Sequence, residues 1–495
     1  MNKFVNSFEK QHEYIKNIMK MKRISIILGA LLCGMPMMAK VQPGSPITDN
    51  MVLQQNTKAR LYGKAKAGAK VTATPSWNNK TYETKADKNG KWIVEVETPK
   101  GGYTPYSIVL SDGEPLTLNN VLVGEVWLAS GQSNMQMPLR GYWGCPIKGG
   151  YEEVAHSGNW NNKIRFMTLP LVQSYTPMDT VAASWTVPSP ATSPDYSALA
   201  WHAAKRMTDV LQVPVGIMSA AYGGARVESW TPREILETYP DVSLDPKDVE
   251  PMEHYMRPLL AYNAMFMPIK DYTYKGIMWY QGCSNVGHDD VYAQRLANMV
   301  KDWREKIGLG DIPFYQVELA PYAFDHSMKT AEGPKLRKAQ WDACALIPNS
   351  GIICTNDAAV EYERFNVHPS DKKVVGDRMA DLILNRTYGQ TMFPCVSPKY
   401  KSHTVKGNEV WVDIELNNDI ISPNCDIKGF EVAGADKVFH PADNVRQDGQ
   451  KNTLIVSSSE VAEPVAVRYC WKDFQLGNVV GDNYLPLVPF RTDNW

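Results

Sequence analysis

The chain has 495 residues, 44% apolar and 21% charged, which excludes a disordered chain and leaves room for about three domains of ~150 residues. Its 52 basic and 53 acidic residues nearly cancel, which excludes a nucleic-acid binder that relies on a broad basic face. Fourteen Trp and 24 Tyr are first of all core material.

Near the start, Lys20, Lys22 and Arg23 precede the apolar run 24–34 (ISIILGALLCG), which Pro36 and the small Ala39 follow. A charged region, a short apolar run and a small residue predict a secretory signal over 1–39, with 1–20 an extension ahead of Met21. The run is too short for a membrane span, which needs ~20 apolar residues. Leu32 before Cys33 is too large for lipoprotein cleavage. Without 1–39 the chain keeps 46 basic and 51 acidic residues, a balance of −5. Seven cysteines remain, Cys145, Cys283, Cys344, Cys354, Cys395, Cys425 and Cys470, with no CxxC among them. Few, scattered thiols behind an export signal predict a periplasmic or extracellular protein without a disulfide framework.

Residues 40–118 read as a β-rich domain. Short strand-forming runs lie at 60–63, 70–74 and 91–96, with Asn89-Gly90 as a hairpin-type turn. From 119 to 398 the texture changes. Apolar strand candidates at 121–129, 164–169, 213–220, 276–280, 314–319 and 351–355 alternate with helical patterns. Leu199, Ala203, Met207, Val210 and Leu211 keep a three-to-four spacing, as do Val375, Met379, Leu382 and Ile383. This alternation predicts an α/β layer on a mostly parallel sheet, with its site beyond the strand C-termini. From 399 to 495 the pattern returns to β, at 409–414, 454–456 and 466–469, with Asp448-Gly449 as a turn.

Three segments follow apolar strands where chemistry is expected. In Ser130-Gly131-Gln132-Ser133-Asn134-Met135, Gly131 permits a tight turn that exposes a serine hydroxyl. Met135 occupies the second glycine position of G-x-S-x-G, so this is not a nucleophile elbow of that type. Alone, Ser133 fits a helix N-cap. The pair Gly223-Gly224 allows backbone N–H groups to approach a ligand, as an oxyanion hole requires; an ordinary turn explains it equally. The third segment is Gln281-Gly282-Cys283-Ser284-Asn285. His368-Pro369, before a helix that Ser370 is placed to cap, supplies a candidate general base. His440-Pro441 repeats the dipeptide, and spacing does not choose between them. There is no HExxH, P-loop or GxGxxG after a strand, so no metal or cofactor is expected.

Residues 124–135 (GEVWLASGQSNM) resemble the signature block of the sialate O-acetylesterase family of the SGNH hydrolase superfamily. The resemblance extends through 49–54 (DNMVLQ), 260–265 (LAYNAM), 276–282 (GIMWYQG), Val367-His368-Pro369 with Lys373, Gly376 and Arg378, 464–469 (PVAVRY) and 489–493 (PFRTD). It implies an SGNH-type α/β/α three-layer catalytic domain flanked by β-sandwich-like regions. It also implies a serine esterase that deacetylates sugars, most directly O-acetylated sialic acids, through an acetyl-serine. Carried over by position, Ser133 is the nucleophile and His368 the base. Ser133, Gly224 and Gln281, with Asn285 a weaker candidate, serve the oxyanion. Arg226, Glu228 and Trp230 are candidates to touch substrate.

Two positions depart from the family pattern. Cys283 stands where glutamate is usual, and Phe365-Asn366 where an acid commonly precedes His-Pro. The group orienting His368 is therefore open: Asn366, Asp357, a backbone carbonyl or water. Three alternatives follow: acetylated plant polysaccharide as substrate, a carbohydrate-binding protein with a weakened site, and a cysteine hydrolase using Cys283.

Overall fold

The computed structural model describes residues 40–324, 331–416, 420–421, 426–449 and 451–495. The expected signal and Cys425 lie outside these residues. Twenty-one strands are described. The first eight are β1 (Gln42–Pro43), β2 (Val52–Gln54), β3 (Lys58–Lys64), β4 (Lys70–Pro75), β5 (Tyr82–Lys85), β6 (Lys91–Glu97), β7 (Gly102–Ser111) and β8 (Pro115–Gly131). Strand β6 alternates exposed and buried residues throughout, the signature of a sheet with one wet face. A three-stranded antiparallel sheet, β1-β3-β6, packs against the path β5-β4-β7-β8.

Strand β8 joins two regions. Its first half pairs antiparallel with β7 and parallel with β2. Its second half is buried at every residue and lies at the centre of a parallel sheet. That sheet adds β9 (Ile164–Thr168), β10 (Val215–Ala221), β11 (Gly276–Tyr280), β12 (Phe314–Val317) and β13 (Ser350–Ile353). All its pairings are parallel, in the order β9-β10-β8-β11-β12-β13. The expected boundary at 118/119 thus falls inside one continuous strand, because β8 is shared by both regions.

Five helices matter for the site: α1 (Ser133–Gln136), α2 (Ala198–Leu211), α3 (Asp289–Ile307), α4 (Glu332–Leu346) and α5 (Lys372–Tyr388). Helix α2 buries Leu199, Ala203 and Met207, the residues that set its sequence period. It packs on α5, and α3 on α4. A Cβ at Gly376 would lie 2.6 Å from the Leu199 carbonyl oxygen, so glycine permits the close α2–α5 crossing. The cap of α5 differs from expectation: Asp371, not Ser370, accepts a hydrogen bond from the Val374 N–H at 3.2 Å. The Ser370 N–H is instead held by Glu363 Oε1 at 3.1 Å.

The C-terminal region is a sandwich of two antiparallel sheets. One is β14 (Lys399–Lys406), β15 (Glu409–Glu415), β19 (Thr453–Ser457) and β18 (Asn444–Gln447); the other is β17 (Phe439–Pro441), β16 (Phe430–Ala433), β20 (Ala466–Tyr469) and β21 (Phe490–Arg491). Val412, Phe430, Leu454, Val467 and Leu487 share its separate apolar core. Among the described residues no helix is long and apolar enough to cross a membrane. All six described cysteines are free thiols.

Candidate active site

The candidate residues gather at the C-terminal ends of β8, β10 and β11. There, Gly131 has φ +132°, and a Cβ on it would lie 2.2 Å from the Tyr280 carbonyl oxygen. Only glycine lets β8 and β11 converge so closely before the chain turns. Gln132 then clasps β11: its N–H donates to Tyr280 O at 2.9 Å, and its Oε1 accepts from the Gly282 N–H at 2.7 Å.

Gln132, not Ser133, is the N-cap of α1, and its side chain makes no capping bond. The N-cap reading of Ser133 fails because Ser133 is already the first helical residue. It is half-buried, and neither its hydroxyl nor its N–H has a hydrogen-bond partner among the described residues.

The glycine pair follows β10 and lies against this serine. A Cβ on Gly223 would sit 3.5 Å from Ser133 Cβ. The Gly223 N–H donates to Gln136 Oε1 at 2.8 Å. Gly224 has φ +77°, and a Cβ there would meet the Tyr255 ring at 2.4 Å. Its N–H has no partner among the described residues. The turn therefore leaves unspent the donor that an oxyanion needs.

Gln281 and Asn285 are brought nearby, but their polar atoms are committed. Gln281 Nε2 donates to Ala225 O at 3.1 Å and Asn285 Oδ1 at 2.7 Å, while its Oε1 accepts from Tyr292 at 3.0 Å. Both amide hydrogens are used, so Gln281 holds the glycine turn and has none left for an oxyanion. Asn285 Oδ1 also accepts from the Val227 N–H at 3.1 Å, and its Nδ2 donates to Glu228 Oε2 at 3.0 Å.

The substrate-contact expectation fails for two of its three residues. Glu228 is buried, with Arg295 on its other oxygen at 2.8 Å. Trp230 is fully buried between Trp279 and Trp303. Both brace the loop from inside. Arg226 remains half-buried, its Nε donating to Ser284 O at 2.9 Å.

His368 stands on the loop between β13 and α5. Its Nε2 is buried without a hydrogen-bond partner. The ring packs edge-on against Tyr142, with centroids 5.1 Å apart, and the Tyr142 hydroxyl donates to Ser133 O at 3.2 Å. Burial, with the Lys372 cation second, pushes the imidazole down to about 4, so it is neutral at pH 7. Neither expected orienting group bonds the ring. Arg378 holds Asp357 by two bonds, at 2.6 and 2.7 Å. Asn366 Oδ1 accepts from the backbone N–H of His368 at 3.0 Å and from the Cys145 thiol at 3.2 Å.

Sequence reasoning missed Asn134, Tyr142 and Lys372. Asn134 Nδ2 donates to Val367 O at 2.9 Å. Lys372 is buried, with Nζ donating to Asn134 Oδ1 at 2.8 Å and Pro369 O at 2.7 Å. Polar residues flanking Ser133 and opening α5 were the available signal. Cys283 is half-buried, with Asn134 Nδ2 4.0 Å from its sulfur. Burial pushes its thiol up to about 12. A thiol protonated at pH 7 is a poor nucleophile, which removes the ground for the cysteine-hydrolase alternative. His440 sits in the C-terminal sandwich beside Glu460, at 3.0 Å.

Residues 123–385 match the family described as carbohydrate esterase, sialic acid-specific acetylesterase. The sialate O-acetylesterase of Mus musculus is 25% identical, covering 86% of this chain and 88% of the mouse protein. That of Homo sapiens is 26% identical, covering 86% and 87%. The solved structure of a carbohydrate acetylesterase from Xanthomonas citri superposes with a TM-score of 0.80 at 30% identity, covering 92% of this chain and all of that one.

Proposed function

The chain belongs to the sialic acid-specific acetylesterase family of carbohydrate esterases, and from that premise we propose a serine esterase that removes O-acetyl groups from sialic acids. One observation carries the assignment of roles. Ser133 Oγ, His368 Nε2 and the N–H groups of Ser133 and Gly224 are unspent at the end of the parallel sheet, while the polar atoms of Gln281 around them are used. A protein builds such a set for an incoming reactant, since idle buried polar groups are costly.

In the proposed reaction His368 Nε2 accepts the Ser133 proton as Oγ attacks the acetyl carbonyl carbon. The N–H groups of Ser133 and Gly224 stabilise the resulting oxyanion. His368 then gives the proton to the leaving sugar oxygen, releasing the alcohol and leaving acetyl-Ser133. Water, deprotonated by His368, attacks this ester and releases acetate. With no carboxylate on its ring among the described residues, His368 works in a dyad. The edge of Tyr142 and the bonds to its flanking backbone orient it.

The charged run and apolar stretch before Ala39 support export to the periplasm or beyond. Acetate release from O-acetylated sialic acid, abolished in Ser133→Ala, is the expected result. Unchanged release in that variant overturns the assignment. A panel that includes acetylated plant polysaccharide separates the two substrate classes. Glycan binding without acetate release supports the weakened-site alternative.

A further inference from the structure

Lys372 has no part in the proton transfers above, yet it is a fully buried amine beside them. It opens α5, four residues after His368, and is only 1% exposed. Its Nζ lies 6.0 Å from the centroid of the Tyr280 ring. No carboxylate pairs with it among the described residues. Glu363, the nearest acid in electrostatic influence, spends its two oxygens on the backbone N–H groups of Ser370 and Val360. Burying a lysine without an ion pair costs stability, so what it holds matters.

It holds the two halves of the dyad together. One bond reaches Asn134 Oδ1, the residue after Ser133, and the other reaches Pro369 O, the residue after His368. Asn134 returns a bond from Nδ2 to Val367 O, the residue before His368. The carbonyls on both sides of His368 are thus fixed to the serine turn, across 233 and 238 residues of sequence. Asn366 fixes the His368 N–H as well. A carboxylate would hold the base by its ring; here the backbone on either side of the ring is held.

We propose that Lys372 is the positioning residue of this site, clamping the His368 loop to the Ser133 turn and so taking over the orienting part, though not the charge, of an acid on the imidazole. This rests on the esterase reading above. The clamp also carries charge. Burial pushes the amine down to about 7, against the opposing pull of the groups that face it, Glu363, Cys283, Cys145 and Asp371. Its cation disfavours the imidazolium of His368 and so keeps the base in its accepting form.

The test compares Lys372→Met with Asn134→Ala on a small acetyl ester. Lys372→Met is expected to lower kcat about 100-fold, the usual cost of a small misplacement of a reacting group, with KM within threefold. The acid limb of its pH profile moves to higher pH, because the cation beside His368 is gone. Asn134→Ala, which removes one arm of the clamp and keeps the amine, lowers kcat but leaves the acid limb in place. A folded Lys372→Met with unchanged kcat, or with lost kcat and an unmoved limb, overturns the clamp.

Should Lys372→Met fail to fold, the Asn134→Ala result decides: an unchanged kcat overturns the clamp, and a lowered kcat on an unmoved limb supports it. Titration of the His368 imidazole by NMR, in Ser133→Ala with and without Lys372→Met, reads the charge effect without turnover. A wild-type chain showing no Ser133-dependent acetate release overturns the esterase reading instead, which keeps the two failures apart.

Discussion

The two His-Pro pairs occupy opposite physical worlds. His440, on β17 of the C-terminal sandwich, has a carboxylate from Glu460 3.0 Å from its Nδ1. His368, on the loop before α5, has no acid on its ring among the described residues, a buried Nε2 without a partner, and a cation nearby. A histidine with a carboxylate on its ring already has a partner within the protein. One left desolvated and neutral is ready to take a proton from something else. The difference teaches that an acid on the ring, usually sought as the mark of a catalytic histidine, here marks the histidine of the C-terminal sandwich and not the one proposed as the base.

The largest effect that breaks this contrast is loss of either histidine. His368→Ala is expected to lower turnover about 10⁴-fold or more, as loss of a general base does in serine hydrolases. His440→Ala should leave acetate release within twofold. Equal losses would erase the distinction. Next comes Gly224→Ala, which places a Cβ against the Tyr255 ring and strains a positive φ. Displacing that oxyanion donor is expected to cost about 100–1,000-fold in kcat, with the fold retained by circular dichroism.

The contrast also predicts a pH profile. A base at about 4 stays neutral through the acidic range, so kcat/KM should hold from neutrality to about pH 5 and fall below about 4. The same depression links to stability. The unfolded imidazole takes up a proton below its ordinary 6.5 while the folded one does not, so stability declines as pH falls from 6.5 towards 4. Urea melts across that range check the sign. The smallest expected effect is Cys283→Ser: a thiol pushed to about 12 performs no nucleophilic step, so kcat should change less than about fivefold, in line with the modest cost of losing a neutral contact.

Much of the fold was legible because buried parallel strands read as continuous apolar runs. Residues 276–280 are β11 as expected, and 164–169 and 213–220 overlap β9 and β10 to within two residues. The helix periods of Leu199 and Val375 fell in α2 and α5. The ends of elements were less legible, since they depend on which polar group wins a free N–H: Gln132 rather than Ser133, Asp371 rather than Ser370. The set proposed to react, Ser133, Gly224 and His368, was named from blocks of sequence. The support was not. Nothing in Gln281 alone tells that both its amide hydrogens are used, and nothing in the order of the chain links Asn134 to Lys372. Glu228 and Trp230 misled for a related reason: they follow the glycine turn in sequence, but the chain carries their side chains inward, to Arg295 and to an aromatic cluster.

Strand β8 has a mechanical consequence. Its 17 residues form one hydrogen-bonded strand, turned at Asn120 (φ +54°), whose upstream half is gripped by the N-terminal sheets and whose downstream end lies two positions before Ser133. A module hung on a linker can be removed or exchanged without disturbing its neighbour. Here the β-rich region and the Ser133 turn share a single strand, so trimming the chain at 118 would release one end of it. The N-terminal region thus mounts the Ser133 turn, and any exchange of it must keep the β2–β8 and β7–β8 registers to keep that turn, with its proposed nucleophile, in place.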